Sequence, residues 1–401
     1  MKSDKITQIC PINRGKAAAL LFLLVFALFF TSGCWNQMEV VDTAEVEGLV
    51  LDLEGGQSSL SVQLAKPSSS QAGTQPSKPV NITQTGSTYT ESARKVMLSL
   101  PRLPLWAHAG VIIIGQDLAH ADLAQAADFM ARNRNVRKTS SLFISKGVSG
   151  KECLEASLPI ETYSIAGLKK LIRIQEKQLG IYMPVNLDVF LEKLATPGIQ
   201  PAVPQVTIME MDGQKMLRLD GTAVFKGRQV VGSLDEVESQ GYRFLSPKMI
   251  TGGLITIHKP GDNSPDSNKL IAIELTRSQA HINPQIKDGK FKKMQIKVEA
   301  EGNFYEQNFV GQILTLDDVK KIEELTNEEI KKKMTAAIMK TQGLNSDIFG
   351  WGRIIAQKNP ALWQSLEADW PVIFAGIEAD ISVDFSLRRT YLLDKSFEFR
   401  E

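Results

Sequence analysis

The chain's one clear modification signal is a cysteine preceded by small residues, Thr31-Ser32-Gly33-Cys34. This is the arrangement of a bacterial lipoprotein cleavage site. The sulfur takes diacylglycerol as a thioether, and small neighbours let the peptidase close on the backbone. Thr31 stands where such sites usually carry Leu. The preceding segment fits a secretory signal: Lys2, Lys5, Arg14 and Lys16 against one Asp4, then an apolar run from Ala17 to Phe30. As a helix that run spans about 21 Å, short of the roughly 30 Å hydrocarbon core. The alternative, a transmembrane anchor stretched to Ser32, needs more length. Cleavage ahead of Cys34 removes four positive charges and one negative, taking the formal net charge from +1 to −2. Two or more acyl chains, of the palmitate kind, anchor stably where one does not.

The other residue types that could do chemistry are not spaced for it. His108, His120, His258 and His281 include no pair four residues apart, so no HExxH zinc site is written. There is no GxSxG elbow and no GxxxxGK[ST] phosphate loop. Ser92-Ala93-Arg94-Lys95 has the SxxK spacing of penicillin-recognising enzymes, but no Lys-Thr-Gly triplet accompanies it. Asp262 to Asn268 begins like a calcium loop, yet Ser267 occupies the glycine position and Ile273 the position needing Glu. Cys10, Cys34 and Cys153 are too few for a disulfide framework or a multi-cysteine zinc site, and Cys153, beside Leu154 and Leu158, reads as buried and inert. No catalytic residue, metal ligand or cofactor-binding residue is assigned, and Cys34 is the expected site of lipid attachment.

The elements around these residues read as α+β. Ala44–Leu53 and Ser58–Ala65 are strands joined at Gly55-Gly56. Residues 67–79, rich in Ser, Pro, Gln and Gly, form an exposed loop. Ser92–Leu100 and Asp117–Asn133 read as helices, with the apolar strand Val111–Ile114 between them. Ser149 and Glu152 form a capping box. Ile165, Leu168, Leu171, Ile172 and Leu179 make one helical stripe. In the last third, Met294 to Ala300 and Ile377 to Leu387 alternate apolar and polar residues. The second reads as a long strand of an antiparallel sheet with one wet face, covered by a helix over Leu316–Thr341. Trp351, Trp363 and Trp370 either anchor an interface or pack helices on that strand. Strands, helices and then a strand favour α+β over a doubly wound sheet. The expected organisation is a signal peptide at 1–33, an N-terminal α+β domain at 34–198, a small central one at 199–260 and a C-terminal one at 261–401. The whole is a lipid-anchored ectodomain of three tandem domains with mainly antiparallel sheets.

With 401 residues, 43% hydrophobic, 23% charged and a net charge of +1, the composition excludes a collagen, a wholly disordered chain and a highly basic nucleic-acid binder. The absence of enzyme motifs points to an interaction module. A solute-binding lipoprotein of a transporter is the alternative, and it would need two similar lobes of alternating strands and helices.

Several segments in order resemble the Ger(x)C family, the lipoprotein C subunits of spore germinant receptors. They are Gly33-Cys34-Trp35, Thr85-Gly86-Ser87-Thr88, Leu103 to Ala119 (LPLWAHAGVIIIGQDLA), Asp220 to Leu234 (DGTAVFKGRQVVGSL) and Ser346 to Trp363 (SDIFGWGRIIAQKNPALW). The resemblance implies three α+β domains, no enzymatic activity and no cofactor. It implies attachment through Cys34 to the outer leaflet of the spore's inner membrane. Its partners would be two integral membrane subunits, A and B, that bind germinant and carry the signal.

Overall fold

The computed structural model describes residues 39–66, 78–260, 268–309 and 316–389, with scattered positions between 15 and 26. The chain forms two compact units, Met1–Thr43 and Ala44–Glu401. In the first, the described positions between 15 and 26 are helical and exposed. Among the described residues, no helix is long and apolar enough to cross a membrane.

In the larger unit, β1 (Thr43–Glu54) and β2 (Gln57–Leu64) form the expected hairpin. Gly55 and Gly56 carry φ of 58° and 79°, the positive pair that a tight two-residue hairpin turn needs. β3 (Val80–Gly86) pairs antiparallel with β2. α1 (Tyr89–Lys95) starts where the Thr88 hydroxyl accepts the Glu91 N–H, and ends in a 3-10 turn, Val96–Leu98. β4 (Leu103–Leu105) pairs with β1. β5 (Val111–Ile114) runs parallel to β1 and is wholly buried.

The helix expected over 117–133 is two helices, α2 (Gln116–Ala121) and α3 (Ala124–Arg132). The break is local chemistry: Asp122 turns extended, and its carboxylate accepts the Ala124 N–H at 2.8 Å. Asp competes for backbone donors in this way, and here it restarts the helix. β6 (Ser141–Ser145), parallel to β5, leads into α4 (Gly150–Glu155), where the Ser149–Glu152 capping box forms. α5 (Ser164–Gln178) buries Ile165, Leu168 and Ile172, while Leu179 is left exposed. After α6 (Leu187–Ala195), β7 (Ala202–Met211) joins β6 in parallel. β8 (Gln214–Lys226) and β9 (Gln229–Leu234) add two antiparallel strands.

The nine-stranded sheet has the order β3-β2-β1-β5-β6-β7-β8-β9, with β4 on β1. α5 covers one face against Val50, Val111, Ile113 and Phe143. Leu118, Phe129 and Met130 of α2 and α3 cover the other against Leu49, Ile112 and Leu142. Two-sided burial is why β5 reads as an unbroken apolar run.

α7 (Glu236–Phe244) starts in a second capping box, between Asp235 and Glu238. The second sheet holds β10 (Ile250–Thr251), β11 (Leu254–His258), β12 (Leu270–Lys287), β13 (Lys290–Gln307) and, after four helices, β14 (Ala379–Arg389). Those helices are α8 (Leu316–Gly343), α9 (Trp351–Lys358), α10 (Pro360–Leu366) and α11 (Trp370–Ala375). β14 has the expected alternation, but it pairs parallel to β13. The intervening helices carry the chain back across the sheet, and alternation of side chains is blind to that direction. Ile322, Ile330 and Met334 of α8 cover Ile296, Val298, Ile381 and Phe385.

The fold is α+β with mainly antiparallel pairing. The division expected at 198/199 lies on the connection from α6 to β7, after which β7 continues the first sheet. The division at 260/261 borders residues 261–267, outside the described residues. The two sheets differ in size and strand order, unlike the paired lobes of a solute-binding protein.

Candidate functional site

Cys34 and Thr31 lie outside the described residues, as does most of the Asp262–Asn268 segment. The four histidines are exposed and far apart in the fold, on the turn after β4, α2, β11 and β12. Among the described residues, no group of three His, Cys, Asp or Glu side chains is placed to hold a metal ion. The SxxK residues have other partners. The Ser92 hydroxyl donates to the Ser58 carbonyl at 2.8 Å, and Lys95 pairs with Glu91 at 2.7 Å. Cys153 is buried, and burial pushes its thiol up to about 12, so it stays protonated and unreactive. The three tryptophans are core residues. Trp351 sits between Phe349 and Phe374, and Trp363 meets Trp370 edge-on at 5.3 Å. None is free to anchor an interface.

The structure instead buries two charged groups, each with its own set of partners. Asp347 is the second residue of the segment SDIFGWG. Its carboxylate accepts the N–H groups of Gly350 at 2.8 Å, Trp351 at 3.2 Å and Gly352 at 2.9 Å, and the indole N–H of Trp370 at 3.0 Å. Gly350 makes the turn possible with φ of 75°. Burial pushes this carboxyl up to about 6, against the pull of the backbone donors, so it is ionised at neutral pH. Nearby, the Asp347 carbonyl accepts the Gln200 N–H, and Arg353 donates its N–H to Gly198. Ser346 bonds the Phe225 carbonyl of β8. One carboxylate thus sets the start of α9, and its neighbours fasten that start to the loop before β7.

Arg243 is the other. Its Nη2 donates to the carbonyls of Glu176 at 3.2 Å, Thr251 at 2.8 Å and Gly252 at 2.9 Å, tying the end of α5 to the turn between β10 and β11. Burial lowers its pKa to about 10, partly offset by Glu176. Sequence reasoning passed over it, because Arg in QGYRFL looks like any surface position of a helix. The glycines it lies against, Gly180 and Gly253, were the available signal. A Cβ at Gly180 would stand 2.8 Å from its Nη1.

Two features of the surface bear on binding. A cleft of about 390 Å³ between α1 and α3 combines Met97, Leu103 and Trp106 with Arg94, Arg132 and Arg134. Along β14, which among the described residues pairs only with β13, the outward N–H groups of Phe385 and Leu387 donate to Asn327 and Glu323 of α8, each at 2.8 Å. These surfaces can bind. Neither presents a nucleophile with a base beside it.

Comparison with known proteins points to spore germination. The model described as "Spore germination protein N-terminal domain" matches residues 36–208, and that described as "Spore germination B3/ GerAC like, C-terminal" matches residues 220–391. Spore germination protein KC of Bacillus subtilis (strain 168) is 22% identical over 93% of this chain and 96% of its own. The putative spore germination protein YfkR of the same organism is 23% identical over 87% of this chain and 91% of its own. The crystal structure of the GerBC protein aligns with a TM-score of 0.55 at 18% identity, covering 85% of this chain and 96% of that one, which shows a shared fold. By two successive domain matches that take in most of its length, the chain belongs to the GerAC-like family of spore germination proteins.

Proposed function

We propose that this chain is the lipid-anchored C subunit of a spore germinant receptor, a non-catalytic part required for the response to nutrients. The observation that carries the reading is the order of its features. A lipoprotein-type cysteine at 34 is followed at once by the two germination domains, at 36–208 and 220–391. On this reading Cys34 carries the lipid, and the body sits on the outer leaflet of the spore inner membrane. Its partners are the integral membrane A and B subunits, which bind germinant and relay the signal. The segments 34–198, 199–260 and 261–401 are its proposed divisions in sequence, the second of them supplying β7 to the sheet of the first.

Cys34→Ala tests it. Spores carrying the variant should germinate poorly with the germinants of this receptor, and the protein should be lost from membrane fractions. Normal germination together with normal membrane retention would sink the reading. Pull-down from spore membranes should recover two integral membrane subunits.

A further inference from the structure

We propose that the cleft between α1 and α3 docks the body onto an anionic bilayer surface. Two of the acidic groups near it are already engaged: Asp128 by Arg132 and Glu91 by Lys95, each at 2.7 Å. Arg94 and Arg134, which line the cleft, have no acidic partner among the described residues, nor do Arg102 and Arg137 close by in the chain. Beside these free guanidinium groups stands Leu98, 81% exposed, on an adjoining cleft that shares Arg94. Met97 and Leu103 are also exposed. Guanidinium groups bind phosphate oxygens, and an exposed leucine beside them gains by entering the headgroup–acyl boundary. A free phosphate would use the arginines and leave the leucine unexplained.

The position of the cleft argues the same way. β1, β5 and β6 are parallel, with Gly48 opposite Val111 and Val111 opposite Ser141, so all three start at one end of the sheet. α3 carries the chain from the far end of β5 back to the start of β6. The turn 133–140 that follows α3 therefore leads to that common end. Bonds from Gly110 to the Glu47 carbonyl and from Ser140 to the Ala109 carbonyl hold the three starts together. The chain arriving from Cys34 enters the body here, at Ala44, and those ten residues reach at most about 35 Å. If Cys34 is acylated, as the proposed function holds, the end kept near the bilayer is the end to which the turn bearing Arg134 and Arg137 leads.

The test uses the mature chain from residue 34 with Cys34→Ser, which carries no lipid. It is floated with phosphatidylcholine vesicles, with and without about a third of phosphatidylglycerol. The chain should float with the anionic vesicles only, and less as salt rises. Arg94→Glu with Arg134→Glu should lower partitioning at least about tenfold. Leu98→Ser should lower it by about threefold. Failure to float with anionic vesicles, equal binding to neutral ones, or indifference to the charge reversal would overturn the proposal. So would displacement by inorganic phosphate at constant ionic strength, which would assign the arginines to the free anion. Because no acyl chain takes part, the outcome is independent of the spore experiment on Cys34.

Discussion

Four donors converge on the carboxylate of Asp347, and both of its oxygens act as acceptors. Asp347→Ala strands those buried donors and should cost about 3 kcal/mol in denaturant unfolding. Asp347→Asn should not restore the loss, because its amide would turn donors toward Gly352 and Trp370. The pH dependence has a defined sign. A carboxyl raised from its ordinary 3.8 to about 6 binds its proton more tightly in the folded chain. Its contribution to stability is complete below about pH 4 and is lost as pH rises through 6. The stability gap between the natural chain and Asp347→Ala should therefore be wider at pH 4 than at pH 7, and a gap that widens with pH would contradict this. In sequence the Asp347 segment stands out only through its resemblance to the family, since nothing local says that one carboxylate will gather donors from positions 350 to 370. Arg243 was illegible for the same reason: its carbonyl partners lie on a different helix and on a turn of the second sheet.

At the scale of elements, periodicity was enough where one element faces one core. The helix expected over 316–341 is α8, and the run Val111–Ile114 is β5 without change. The pattern could not give strand direction, so β14 emerged parallel, and it did not register that Asp122 would break a helix. Nor did it show where two helices touch backbone to backbone. Gly241 of α7 faces α8 so closely that a Cβ there would stand 1.9 Å from the Lys333 carbonyl oxygen. Gly241→Ala should push the helices apart and cost about 2 kcal/mol or more. Ala at the exposed Gly213 turn, which has open space but φ of 72°, should cost only about 1 kcal/mol. Equal losses at the two positions, measured by urea unfolding, would show that helix contact is not what Gly241 serves.

For the whole molecule, what matters is that the two sheets share one interior. Ala202, Val224 and Leu234 of the nine-stranded sheet belong to the same buried cluster as Trp351, Ile296 and Phe385. A chain built this way should unfold in one transition, with tryptophan fluorescence and far-ultraviolet circular dichroism giving the same midpoint. Met334→Ala in α8 should lower both midpoints together, and separated transitions would mean that the sheets melt independently. The side-chain caps on β14 have a consequence at this scale too. Anchored to a bilayer as proposed, the protein would meet its own copies in two dimensions, at a local crowding that solution concentration does not describe. An open strand edge there invites sheet-to-sheet polymerisation. By occupying the outward N–H groups of Phe385 and Leu387, Asn327 and Glu323 take away part of the template on which such a polymer would grow, and so help to keep neighbouring copies separate.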